Sequence, residues 1–220
     1  MLKPGTTAGA ESLERAVRQT VATIRHIEGY ELIPHVCRLL GEGAPVSVDR
    51  LAATVGWPVE RVRETLRAHP AEWGEQGRLV GLGLTLRPTP HKFTFEGRTL
   101  YGWCASDTLM FPVLLGKSGL IESVCPATGK PVQVRVTSDR VDSADPRGAV
   151  VSAVRPDRRV ENVRTDICNL GHFFSSREAA AAWLEANPQG MLHTVEEDFE
   201  IHRRVAEHQM GWSACGGTAC

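Results

Sequence analysis

The sequence predicts an α+β protein, with a winged helix-turn-helix-like N-terminal region followed by a mixed region of antiparallel strands and helices. Three observations carry that prediction. Early in the chain, apolar residues recur at steps of three and four, as in Leu13, Val17, Val21, Ile24 and Ile27, which marks an amphipathic helix. From about residue 78, "RLVGLGLTLRPTPHKFTFEGRTLYGW" alternates and is punctuated by Gly and Pro, as short strands are. Further on, "ATGK" joins "GLIESVCP" to "KPVQVRVTS" as a hairpin.

Taken in order, residues 1–10 read as a disordered lead-in, and a first helix starts at Glu11. "YELIPHVCRLL" forms a second helix, with Pro34 tolerated in its first turn and Gly41 and Gly43 ending it. "VSVDRLAATVGWPVERVRETLRAH" reads as helix, tight turn, helix, the second opening near Pro58. After the short strands a helix runs from Ala105 to about Leu115, with Pro112 expected to kink or end it. Strands follow at "GLIESVCP", "KPVQVRVTS" and "AVVSAVRP", and "ENVRTDICNLGHFFSS" runs from a loop into another. "SREAAAAWLEANP" is a helix that Ser176 can cap, because alanine loses little on entering a helix. "MLHTVEEDFEIHRRVAEHQMGW" gives a short strand and a last helix. The expected divisions are 1–90, 91–212 and a flexible tail, 213–220, carrying Cys215 and Cys220.

Composition narrows the function classes. The chain has 220 residues, is 42% hydrophobic and carries a net charge of −1, so no strong global field draws in nucleic acid or an anionic membrane. The winged-helix order invites DNA binding, but residues 1–90 hold 11 Lys/Arg against 10 Asp/Glu, and Glu60 and Glu64 dilute Arg61, Arg63 and Arg67. A reader of phosphate backbones shows a clearer basic footprint, so no nucleic acid is expected as partner. No run of 18 apolar residues and no signal-like start exist, so no membrane association and a cytoplasmic location are expected. The six cysteines are then mostly reduced, and no CxxC pair marks a zinc ribbon or redox motif.

Chemistry concentrates in "LYGWCASDTLMFPVLLG", residues 100–116, where Cys104 and Asp107 stand one helical turn apart at the head of an apolar run. A helix starting just after Cys104 would lower its thiol pKa through the unsatisfied N–H groups of the first turn. A carboxylate alone opposes thiolate formation, so Asp107 makes more sense as a proton carrier. The plain alternative is a core cysteine beside a first-turn helix stabiliser. Cys168 and His172 could supply two metal ligands, though two are not a site. Cys125, at a strand-to-turn junction, and Cys37, on an apolar helix face, read as buried structural thiols. Two other classes stay open on these residues: a thiol-based metal-sensing winged-helix regulator, and a cysteine hydrolase with Cys104 as nucleophile and His172 as base.

"LYGWCASDTLMFPVLLG", "VCPATGKPVQVRV" and "ICNLGHFFSSREAAAAWL", in that order, resemble the bacterial organomercurial lyases (alkylmercury lyases). Those share a Trp-Cys step, an aspartate three residues on, a Cys-x-Ala-Thr-Gly turn and a second cysteine shortly before His-Phe-Phe. The helix-turn-helix block with "GWPVERV" and "GLGLTLR" is similar too, and the likeness covers roughly residues 13–205. The resemblance implies a winged-helix-like N-terminal helical part packed on a mixed α/β catalytic part. It implies protonolysis of carbon–mercury bonds in alkyl- and arylmercury compounds, for mercury detoxification. Cys104, Asp107 and Cys168 match the catalytic residues and would hold the Hg(II) product; Cys125 matches a structural cysteine. Some relatives have a further cysteine where Asn169 stands. No organic cofactor is expected, and mercuric reductase or small cellular thiols would receive the Hg(II). The tail thiols Cys215 and Cys220 are either inert or a mobile dithiol that lifts Hg(II) from the site.

Overall fold

The structure, a computed structural model, describes residues 7–27, 29–156 and 159–214. Cys215 and Cys220, and the first six residues of the expected lead-in, lie outside the described residues.

The N-terminal part is helical. α1 (Thr7–Ile24) begins four residues earlier than its apolar stripe suggests. Ala8 and Ala10 favour helix, and no proline follows Pro4 to stop it, so residues 7–10 are helical and not part of a lead-in. A 3₁₀ turn (Tyr30–Leu32) leads into α2 (Ile33–Leu40), with Pro34 in the first turn, where its missing N–H costs nothing. In α3 (Val48–Val55), the Ser47 side chain accepts a hydrogen bond from the Arg50 N–H, and Gly56 closes the helix at a φ of 70°. α4 (Val59–Arg67) follows directly after Pro58.

The chain then enters an eight-stranded antiparallel sheet. Its strands are β1 (Glu72–Trp73), β2 (Leu79–Leu82), β3 (Leu84–Thr85), β4 (His91–Phe95), β5 (Arg98–Gly102), β6 (Gly119–Val124), β7 (Pro131–Val136) and β8 (Val141–Asp145). The strand order is β1-β2-β3-β5-β4-β6-β7-β8. β4 alternates as its sequence requires, with His91, Phe93 and Phe95 inward. The "ATGK" turn joins β6 to β7 as expected, and the Cys125 N–H and Lys130 carbonyl close it at 2.8 Å. β8 was not expected: "RVDSAD" is polar because the strand is a mostly exposed sheet edge, where no buried face imposes alternation.

α5 (Ala105–Leu115) sits between β5 and β6 and is buried on nearly every side. It runs through Pro112 without ending there and closes at Gly116. A second sheet, ordered β10-β9-β11, contains β9 (Val150–Val154), β10 (Phe173–Phe174) and β11 (Gly190–Thr194). Between β9 and β10 lie α6 (Val163–Asp166) and a 3₁₀ turn (Cys168–Leu170) in place of the expected loop. α7 (Ala181–Ala186) is shorter than its alanine run suggests: Ser176 accepts from the Ala179 N–H at 3.2 Å, but regular helix starts only at Ala181. α8 (Val195–Ala214) packs on α5 and α1. One apolar core runs through both parts, joining Leu40, Leu51 and Leu66 to Phe93, Leu109 and Val134. No helix among the described residues is long and apolar enough to cross a membrane.

Candidate active site

The end of β5 and the start of α5 build one half of the site. β5 ends at Gly102, where a Cβ would fall 2.8 Å from the Thr108 Cγ2 and 2.9 Å from the Cys104 carbonyl oxygen. Only glycine lets the strand meet the first turn of the helix this closely. Cys104 is the residue before the helix, and its Sγ accepts a hydrogen bond from the Asp107 N–H at 3.4 Å. The Asp107 carboxylate reaches back to the Cys104 N–H at 3.1 Å. This reciprocal capping means that Asp107 does stabilise the first turn, as one sequence reading had it, and that the same bond fixes its carboxyl beside the sulfur.

Cys168 supplies the other half. Its 3₁₀ turn is clamped onto β9 by Ser152, whose hydroxyl donates to the Leu170 carbonyl at 2.8 Å and accepts from the His172 N–H at 2.9 Å. The Gly171 carbonyl accepts from the Ala105 N–H at 3.1 Å, which ties this turn to α5. A Cβ on Gly171 would lie 2.8 Å from the Cys104 Cβ, so the two thiol-bearing segments approach only because Gly171 has none. Cys104, Asp107 and Cys168 thus converge, with one ligand atom from each lying within 4.8 Å of the others. They are the three residues singled out from the sequence.

Around them lies a cavity of about 150 Å³, mostly apolar, with walls from Ile24, Ile27, Ile33, Met110 and Val205. An apolar cavity of roughly that volume accommodates a benzene ring. Asp107 keeps part of its surface open, but it opens into this cavity, and protein surrounds its carboxyl. Burial raises the Asp107 pKa, against the opposing hydrogen bonds from the Cys104 side. The expected lowering of the Cys104 thiol is overturned. Its hydrogen bond to Cys168, burial and the adjacent Asp107 carboxylate together push it well above its ordinary value, and the helix N–H only partly opposes them. Cys168 is raised as well: the hydrogen bond from Cys104 favours its thiolate, but burial and Asp107 outweigh that bond and the nearby Arg164. The resting site therefore holds its protons on sulfur.

Several supporting residues were not visible in the sequence. Glu72 of β1 is buried and bonds to the Trp103 Nε1 at 3.0 Å, to Thr85 and to Arg164 of α6, whose guanidinium stacks 4.7 Å from the Trp103 ring. It thereby links the residues preceding both cysteines. Glu72 and Arg164 stand 92 positions apart, so no local pattern pairs them. Cys37 is buried as expected, yet it lines the cavity, and burial followed by the Asp107 charge pushes its thiol to about 12. Cys125 is buried in its turn away from the cavity, and hydrogen bonds from Thr128 and Ser175 outweigh burial to bring it to about 7. His172 is not a cavity-lining residue. It stacks on His91 and packs edge-on against Phe174, and it is not a member of the thiol cluster.

Residues 84–207 match the family model described as alkylmercury lyase, and residues 28–83 match that of the helix-turn-helix domain of alkylmercury lyase. The alkylmercury lyase of Bacillus cereus is 46% identical, over 83% of this chain and 84% of its own. That of Staphylococcus epidermidis is 47% identical over 83% and 85%, and that of Pseudomonas putida 39% identical over 87% and 91%. A crystal structure of the mercury-bound form of MerB2 shares the fold, with a TM-score of 0.72 and 24% identity over 90% of this chain and 99% of that one. By the extent of the family match and the identity to these relatives, the chain belongs to the alkylmercury lyase family.

Proposed function

We propose that this organomercurial lyase cleaves carbon–mercury bonds by protonolysis with Cys104, Cys168 and Asp107 as its reacting groups. The observation that carries the assignment is the meeting of two thiols and one carboxyl within 4.8 Å. Mercury is a soft cation and selects thiolates over harder donors. One cysteine exchanges onto R–Hg–X, its proton leaving with X as HX. As the second sulfur adds to mercury, its proton passes to Asp107, which burial has made a willing acceptor. The second thiolate adds electron density to mercury and weakens the Hg–C bond. Asp107 then protonates the carbon: R–H departs, Hg(II) stays on two thiolates, and the carboxylate is restored. The apolar walls hold the organic group and strengthen each charge interaction.

The raised thiol pKa values fit this order, because a proton kept on sulfur is the one the carbon later receives. The Hg(II) product leaves by thiol exchange to small cellular thiols or to mercuric reductase, and two reduced cysteines favour the cytosol as the compartment. The test is anaerobic incubation with phenylmercury and excess thiol. Benzene should appear in step with enzyme-dependent loss of phenylmercury, and its absence would overturn the assignment.

A further inference from the structure

The cavity wall formed by β9, β11 and α8 carries a group of polar side chains to which protonolysis assigns no step. It is built where β9 and β11 pair, with Val151 opposite His193, and where α8 leaves β11. Asp198 is completely buried there; its Oδ1 is hydrogen-bonded to His193 Nδ1 at 3.0 Å, while His202 Nδ1 bonds to the Asp198 backbone carbonyl at 2.9 Å and lies 3.2 Å from Oδ2. Beside them stands Arg155, just past β9. It is half-buried and lines the same cavity as Cys104, Asp107, His193 and His202.

The pairing of Arg155 is what calls for explanation. Asp198 is near enough to stabilise its charge, but no hydrogen bond joins them among the described residues. Among the described residues, Arg155 donates to the neutral Gln19 Oε1, at 3.4 Å. Among the described residues, Asp107, which the Cys104 N–H holds, is the one carboxylate that lines the cavity. Half-buried at the edge of a mostly apolar hollow, with no carboxylate hydrogen-bonded to it among the described residues, the Arg155 guanidinium keeps donors for an anion brought by a ligand. A guanidinium presents a planar fork that a carboxylate matches with two hydrogen bonds.

We propose that Arg155 is a specificity-determining residue that binds a carboxylate carried by the substrate, with the His193–Asp198–His202 cluster holding this wall in place. The proposal rests on the lyase reading. The carboxylate has two possible sources: the organic group on mercury, or the thiol X that delivers the organomercurial. Two arms separate them. In the first, 4-carboxyphenylmercury is compared with phenylmercury, both as adducts of the neutral 2-mercaptoethanol. In the second, phenylmercury is delivered as the adduct of mercaptoacetate or of 2-mercaptoethanol.

In at least one arm the wild-type protein should show a kcat/KM about tenfold or more higher for the carboxylated form, as expected for a charge-assisted pair. Arg155→Met should remove that preference while changing kcat/KM for the neutral form less than about twofold, and Arg155→Lys should keep part of it. The wild-type ratio alone is a test, even where a variant folds poorly. Absence of preference in both arms overturns the proposal, as does an equal loss for neutral and anionic substrates in Arg155→Met. If no benzene is released from neutral phenylmercury, the lyase reading itself fails. Benzene release without carboxylate preference removes only this inference.

Discussion

At the scale of single residues, the site depends on two sulfurs and one carboxyl in fixed relation. Cys104→Ala and Cys168→Ala should each abolish turnover, because one thiolate cannot activate the Hg–C bond. Single-turnover hydrocarbon release near the wild-type rate in either variant would remove the two-thiolate scheme. Asp107→Asn keeps an oxygen to accept from the Cys104 N–H, so the first turn of α5 should stay intact. Organomercurial binding should persist, and cleavage should fall about 10²–10⁴-fold, the usual loss for a general acid–base group. Full activity would mean that solvent supplies the proton. Gly171→Ala is a more indirect test, since its new Cβ would sit 2.8 Å from the Cys104 Cβ and force the two segments apart. Cleavage should slow on the order of 10–100-fold with both thiols still present by titration. An unchanged rate would show that the close approach of the segments is unnecessary.

At the scale of elements, the site is a junction of three pieces: the β5–α5 corner, the 3₁₀ turn before β10, and α8. The seam between the two sheets passes close behind it. There His91 of β4 lies 6.1 Å from both His172 and Phe173, and its Nδ1 is 3.0 Å from the Ser123 hydroxyl. Burial, reinforced by the neighbouring His172, lowers the His91 pKa to about 3. The sign follows from linkage. The unfolded chain takes up this proton below about 6.5, the folded one only near 3, so stability is present above about pH 6.5 and is lost as pH falls. The slope from this group reaches at most about 1.4 kcal/mol per pH unit. Urea unfolding of wild type and His91→Gln between pH 7 and pH 5 checks it. The variant should lose less stability on acidification, and parallel profiles would place the acid sensitivity elsewhere.

At the scale of the whole molecule, the division expected near residue 90 falls inside one sheet. β3 pairs with β5 across it, and the boundary between the two matched family models, at 83/84, is crossed by the β2–β3 pairing as well. Apolar residues from both sides also share one core. The two parts should therefore unfold together. Calorimetry should show one transition, with the calorimetric and van't Hoff enthalpies equal, and two resolved transitions would mean that the helical part is thermodynamically separate.

The sequence by itself determined the α+β class, the helix-turn-helix, the β6–β7 hairpin and the start of α5 at Ala105. These are local: apolar period, glycine and proline placement, and caps act over a few residues and so are written in a few residues. Cys104, Asp107 and Cys168 were legible because their motifs resemble a known family, whereas spacing alone favoured a core cysteine and a helix stabiliser. Only the tertiary structure decided that Cys168 meets Cys104, that Cys37 faces the cavity, and that Glu72 joins Trp103 to Arg164. It also reversed the expected thiol pKa. A helix N-terminus and the opposing Asp107 carboxylate can be read from sequence, but the burial and the neighbouring Cys168 thiol that tip the balance arise only when segments more than 60 residues apart pack together.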